Sequence, residues 1–223
     1  NESWMCDEGR LTYKPVGQEN RLRQALVRDA GEWKTLRLET ALQRLAALLK
    51  GASVNSILGI GSATFTNEDN FALVRFLEEN FQANHFAYDA QEVANPSQDD
   101  YLISPDKNPN RAGVEALGMQ PLAKEDKRYQ IFMGLGAIPE ERLKKLSFEK
   151  DRKVILFATH QVPEWQYADM VLPVATFAEL DGTFTNRQGR VQRIRPAFPP
   201  PGESKPVWEI LSHLAKIMGV TKP

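Results

Sequence analysis

The sequence predicts an α/β protein: a doubly wound, mainly parallel sheet with helices on both faces, an extended C-terminal arm and a terminal helix. Three observations predict it. Short apolar runs of strand length alternate with stretches whose apolar residues fall at helical spacing. No hairpin signal joins successive strands before Asp181-Gly182, so the connections are crossovers, as parallel strands require. The helical stretches each carry one apolar face suited to packing on a sheet.

Taken in order, residues 1–35 read as polar and irregular, punctuated by Gly9, Pro15, Gly17 and Gly31. From Thr40, the set Leu42, Leu45, Ala46, Leu48 and Leu49 makes a helix that Gly51 stops. Residues 54–60 form a short apolar run, read as a strand bounded by Gly59 and Gly61. Thr66 is placed to cap the next helix, with Asp69 three residues on. Phe71, Leu73, Val74, Phe76, Leu77 and Phe81 give that helix its apolar face. Weaker strand signals follow at 85–88 and 101–103, with loops at 95–100 and 105–109. A brief helix spans 112–117, stopped by Gly118, and a strand spans 130–135. Pro139 at a first helical position opens a helix to Leu146. The cleanest strand is 154–158. One helical turn at 165–168 leads into the strand 170–172, which Pro173 ends. Residues 183–185 and 191–194 read as strands around turns at Asp181-Gly182 and Gln188-Gly189, which tolerate positive φ. Pro196, Pro199, Pro200 and Pro201 then force an extended path, and residues 206–218 make an amphipathic helix closed by Gly219.

Composition sets the outer bounds. A chain of 223 residues is long enough for a proper core, and 42% hydrophobic with 26% charged residues is ordinary for a globular protein. A net charge of −1 gives no reason to expect nucleic acid or an anionic membrane as partner. No apolar run approaches the roughly 18–20 residues that span a bilayer, so no direct membrane insertion is expected. The single cysteine excludes an internal disulfide framework and fits a reducing compartment.

Several patterns point to chemistry, each against a plainer structural reading. Gly59-Ile-Gly61 follows a strand and precedes a helix, as a dinucleotide-binding turn does, and Asp89 ends the next strand where a ribose hydroxyl would be taken. The third glycine is missing and Thr64-Phe65 would crowd helix against sheet, so a ligand-free glycine-rich turn is the favoured reading. Gly134-Leu-Gly136 is weaker still, because Pro139 follows too soon for a full phosphate loop. His85, His160 and His213 lack second ligands at metal spacing. His160, after a strand, is the best placed of the three. Glu179 and Asp181 have the makings of an acid/base pair, but a turn explains Asp-Gly. Arg187, Arg190, Arg193 and Arg195 read as a solvated or interface surface before an anion site.

The stretch 168–192 carries a family resemblance. Ala168-Asp169-x-Val171-Leu172-Pro173, then Glu179-x-x-Gly182-Thr183-Phe184-x-Asn186, then Gly189-Arg190-Val191-Gln192 resembles the molybdopterin oxidoreductase superfamily. Within it, Trp4-Met5-Cys6-Asp7-Glu8-Gly9-Arg10 is similar to the large iron–sulfur subunit of respiratory NADH:quinone oxidoreductase. That resemblance implies that Cys6 is the last of four thiolate ligands to a [4Fe–4S] cluster, the other three lying upstream in a longer polypeptide. It divides the chain into 1–35, the remnant of an iron–sulfur domain with a leader, and 36–223, a molybdopterin-oxidoreductase-like α/β domain. Because the sequence begins with Asn inside a recognisable motif, a longer parent is expected.

The resemblance further implies a structural role in electron transfer from NADH to quinone. It implies upstream iron–sulfur domains and other peripheral-arm subunits as partners, and a cytoplasmic position against the membrane face. No molybdopterin is expected: the large α/β domain that separates the two halves in molybdenum or tungsten members is missing here. Those members also carry Lys where Glu8 stands, and a carboxylate there would repel a pterin pyrophosphate in a low-dielectric site. The alternative is a reduced molybdenum or tungsten bis-pterin oxidoreductase of the formate dehydrogenase type.

Overall fold

A computed structural model describes residues 6–122, 129–136, 138–147, 152–161 and 163–220. Its centre is an eight-stranded sheet. The strands are β1 (Ala25–Asp29), β2 (Glu32–Leu36), β3 (Ile57–Ser62), β4 (Phe86–Asp89), β5 (Gln120–Pro121), β6 (Ile131–Leu135), β7 (Lys153–Ala158) and β8 (Met170–Pro173). They lie in the order β2-β1-β8-β7-β6-β3-β4-β5. From β8 through β5 every pairing is parallel, while β1 runs antiparallel to both β2 and β8. A separate hairpin joins β9 (Gly182–Thr185) to β10 (Val191–Ile194).

The central strands are apolar throughout because both their faces are covered. Successive residues alternate between two cores: Ile131 and Met133 face one, Phe132 the other, and Ile155 and Phe157 flank Leu156 in the same way. The larger core lies under α2 (Leu38–Lys50), α3 (Asn67–Phe81) and α6 (Val207–Met218). Ile210, Leu211 and Leu214 of α6 are fully covered there. Each such side chain contributes about 1.5–3 kcal/mol when removed from water. The opposite face packs on Ile138, on Leu143 of α5 (Glu140–Ser147) and on Trp165. Two further α-helices are short, α1 (Asp7–Arg10) and α4 (Arg111–Ala116). The doubly wound α/β architecture is the one the sequence predicts.

Local signals work where the chemistry is local. Thr66 caps α3 by accepting from the Asp69 backbone N–H at 3.2 Å, and Gly219 closes α6 at φ 75°. The arm after β10 turns at Gly202 (φ 62°), where Ser204 N–H donates to the Pro201 carbonyl at 3.2 Å, pairs Val174 with Lys205, and anchors the Ser204 hydroxyl on the Leu22 carbonyl at 2.8 Å.

Four expectations are corrected. The stretch 1–35 is not irregular throughout, because it contains β1 and most of β2. Their turn places Ala30 at φ 50° and Gly31 at φ 89°, the pair of left-handed residues that a two-residue hairpin needs. A hairpin therefore does precede Asp181. Residues 101–103 form no strand: the Asp99 carboxylate accepts all three of their backbone N–H groups, at 2.8, 2.6 and 2.9 Å, and curls them into a loop. The third strand starts at Ile57 rather than residue 54, since Val54 is exposed and Asn55 turns at φ 58°. Gly182 lies inside β9 and is absent from the positive-φ glycines, whereas Gly189 does turn at φ 77°.

Candidate functional site

In a doubly wound sheet, ligands gather at the carboxyl ends of the strands, at the point where strand order reverses. Here that point lies between β3 and β6, and the chain fills it. At the end of β3 the Ser62 N–H donates to the Asn70 side chain at 2.9 Å, and Ala63 donates to the Asp89 carbonyl at 3.1 Å. Thr64 donates to the Ser62 hydroxyl at 3.3 Å, and Phe65 to the Ser62 carbonyl at 3.1 Å. The backbone donors that would cradle a phosphate are thus engaged internally. The Phe65 ring covers Gly136, passing 3.0 Å from the place of a Cβ there.

Gly59 and Gly61 have packing reasons. A Cβ at Gly61 would fall 2.5 Å from the Asn70 oxygen and 2.6 Å from the Met119 sulfur; one at Gly59 would fall 2.7 Å from Leu77. Gly134 likewise makes room for Ile138 at 2.5 Å. Asp89 is engaged by Arg142. Burial pushes its carboxyl up to about 6, against the pull of that guanidinium. The glycine pattern is a close-packed strand-to-helix turn.

The other candidates separate in space. His160 Nε2 donates to the Pro15 carbonyl at 2.6 Å and its Nδ1 pairs with the Thr159 hydroxyl at 2.8 Å; burial lowers its basicity. His213 faces Glu39 at 3.0 Å, and His85 stacks on Tyr129. Among the described residues, no group of three metal-ligating side chains occurs. Glu179 is buried against Arg21, while Asp181 is held below the usual carboxylate range by Arg193, with contacts of 2.8 and 2.5 Å. The two carboxylates belong to different pairs. The basic run divides accordingly: Arg193 is paired, and Arg187, Arg190 and Arg195 are exposed.

Open space remains above the carboxyl edge. A cavity of about 520 Å³ is lined by Thr64, Thr66, His160, Thr176, Leu180 and others. It adjoins a second of about 690 Å³, the two sharing Thr12, Thr64, Gln91, Phe177 and Phe184. Asp69 lies at the floor of the first, its carboxylate accepting the Trp208 N–H at 3.2 Å at the start of α6. Burial pushes its pKa up to about 6 despite that bond and the Thr66 hydroxyl.

Cys6 lines the second cavity together with Glu8, Lys107 and Asn108. It is half-buried, caps α1, and its Sγ accepts the Gly9 N–H at 3.3 Å. An N–H directed at sulfur and a roomy wall suit a thiolate ligand of an iron–sulfur cluster. The donor set amounts to one thiolate of four. Glu8, two residues on, pairs with Lys107 at 2.5 Å and accepts from the Ser97 hydroxyl at 3.0 Å. A pterin pyrophosphate would therefore meet a carboxylate and a lysine already neutralised by it, which does not fit that group.

A family model for molybdopterin oxidoreductases matches residues 113–217, from α4 through α6. Over that stretch, just under half of its length, the chain resembles molybdopterin oxidoreductases. The chain is similar to the mitochondrial 78 kDa subunit of NADH-ubiquinone oxidoreductase from Candida albicans, with 25% identity over 186 residues, 83% of the chain and 24% of that protein. It is also similar to the alpha subunit of a formate dehydrogenase of Methanococcus maripaludis, 46% identical over 80 residues, which are 36% of the chain and 11% of that protein. A formate dehydrogenase alpha subunit of Methanocaldococcus jannaschii is 45% identical over 80 residues, again 36% of the chain and 11% of that protein. The chain thus spans a quarter or less of the length of these relatives.

Sequence reasoning missed Arg21, Lys107 and Asp69 as structural partners. Each pairs across more than 90 positions or caps a distant helix, and such pairings leave no local spacing to read.

Proposed function

We propose that this chain is part of the large iron–sulfur subunit of an NADH:quinone oxidoreductase, in which the molybdopterin-type domain is a scaffold. In this reading Cys6 gives one thiolate to a [4Fe–4S] cluster completed by upstream residues of the same polypeptide. The α/β domain packs against neighbouring peripheral subunits, with the assembly lying against the membrane. Among the described residues, no helix is long and apolar enough to cross a membrane. The observation that carries the reading is the breadth of the match: the NADH-ubiquinone oxidoreductase relative aligns over 83% of the chain, against 36% for the formate dehydrogenases quoted. The pairing of Glu8 with Lys107 and the filled crevice at Phe65 support a domain without pterin.

The second reading is a molybdenum- or tungsten-dependent oxidoreductase of the formate dehydrogenase type, favoured by the higher local identity of 46%. Elemental analysis of the complete protein, expressed with molybdate or tungstate and desalted, separates the two. Iron without molybdenum or tungsten is expected. Near-stoichiometric molybdenum or tungsten would sink the scaffold reading.

A further inference from the structure

The turn that bears Cys6 is weakly rooted in the domain. Helix α1 buries no residue, and it is only four residues long. Among the described residues, the hydrogen bonds of Cys6 through Tyr13 stay within the local segment 6–16, except those of Glu8. Glu8 reaches the loop 97–107 with both carboxylate oxygens: one accepts from the Ser97 hydroxyl at 3.0 Å, the other from Lys107 Nζ at 2.5 Å. Lys107 is pinned in turn. Its Nζ donates to the Ser97 carbonyl at 2.9 Å and approaches the Ser97 hydroxyl at 3.3 Å, and its side chain is 17% exposed.

Exposed ion pairs hold little, because two long side chains lose freedom and water screens them. This pair differs on the lysine's side only, since the Glu8 side chain is 52% exposed. The lysine is mostly covered, and its three acceptors fix one geometry. The base of the loop is fixed as well: the Asn108 side chain bonds both the N–H and the carbonyl of Gln91, and Asp106 pairs with Arg111 at 2.7 Å. Cys6, Glu8 and Lys107 all line the same cavity.

We propose that Lys107 and Glu8 form a charge-paired clamp that positions the Cys6 turn and sets the electrostatic surroundings of the cluster that Cys6 ligates. The proposal rests on the ligand reading of Cys6 given above. Lys107 and Glu8 are positioning residues. The clamp presents nearly zero net charge to the cavity while intact. Removing the lysine leaves a carboxylate facing it, and negative charge disfavours the electron that reduces a cluster. Removing both restores neutrality but not the tether.

The test is a potentiometric EPR titration with iron analysis on the complete, cluster-bearing protein, comparing Lys107→Met, Glu8→Gln, the double variant, Lys107→Arg and Cys6→Ala. Lys107→Met should lower the midpoint potential of one cluster and broaden its signal, and Glu8→Gln should raise that potential. The double variant should return close to the wild-type potential while keeping the broadened signal. Lys107→Arg should restore both. A potential and line shape in Lys107→Met indistinguishable from wild type would overturn the clamp while leaving the ligand reading intact. A full iron complement and unchanged EPR spectrum in Cys6→Ala would overturn the ligand reading, and the proposal with it.

Discussion

Arg21 and Glu179 are 158 positions apart and meet as a buried bidentate pair, Nη1 to Oε1 at 2.5 Å and Nη2 to Oε2 at 2.7 Å. Both side chains are almost completely covered. Their remaining polar atoms are also used. Arg21 donates to the Thr159 and Val16 carbonyls at 3.0 Å each, and Glu179 accepts the Thr176 N–H at 2.8 Å. The pair thereby fastens the N-terminal leader to the loop that follows β8, across the carboxyl end of β7.

Breaking this pair from one side should be costly, since it strands a buried charge. Glu179→Ala is expected to lose about 3–5 kcal/mol of unfolding free energy in urea titrations. The double replacement Arg21→Met/Glu179→Leu should lose less than Glu179→Ala alone, because no charge is left uncompensated. Additive losses in the cycle would contradict the pairing.

Gly182 matters for closeness rather than for φ. A Cβ there would stand 2.9 Å from the Thr66 methyl and 3.0 Å from the Glu68 carboxylate, which accepts the Thr183 N–H at 2.7 Å. Gly182→Val should therefore cost on the order of 1–3 kcal/mol through overpacking. Gly189→Ala, strained only by its positive φ, should cost about 1 kcal/mol. Thermal melts of both variants check the ranking, and an unaltered melting temperature for Gly182→Val would refute it.

The particular residues show why some of this was legible and some not. Strands β3, β6, β7 and β8 announce themselves because burial on both faces demands uninterrupted apolar runs. The hairpin of β1 and β2 stays hidden because β2 is mostly exposed, and its turn uses Ala30-Gly31 instead of Asn-Gly. Helix α3 ends at Gln82, at φ 54° without a glycine to mark it. Cys6 and Glu8 stand out only through the resemblance, and the partner of Glu8 lies 99 positions away. Pattern reading recovers layers and caps; it does not recover long-range ion pairs.

Asn70 is predicted to be the keystone of the strand-to-helix turn. Its side chain accepts from Ser62 N–H at 2.9 Å and donates to the Ser62 and Thr66 carbonyls at 3.1 and 2.8 Å. Asn70→Ala would leave the Ser62 N–H without its acceptor, while the Ser62 and Thr66 carbonyls keep the backbone N–H groups of Phe65 and Asn70, at a cost on the order of 1–3 kcal/mol. Calorimetry measures the loss. The same variant should gain no affinity for nucleoside phosphates, because the N–H groups of Ala63 to Phe65 keep their internal partners.

Finally, the two buried aspartates should make the domain less stable as pH rises through the mildly acidic range. Asp69 and Asp89 each titrate at about 6 in the folded chain, against 3.8 for the free side chain, chiefly because burial penalises the charged form. A carboxyl whose folded pKa is raised is bound to its proton longer in the native state. Unfolding therefore releases protons between about pH 4 and 6, and native stability declines across that window before levelling above it. For Asp69, which is 1% exposed, the decline is on the order of 1–3 kcal/mol. Asp69→Asn keeps an acceptor for the Trp208 N–H while removing the ionisation. Its denaturation midpoint should fall less steeply between pH 4 and 6 than that of the unsubstituted chain, and the two curves should diverge most at pH 7. Parallel curves would mean that the Trp208 and Val207 N–H groups already stabilise the carboxylate fully, and that Asp69 is ionised throughout the window.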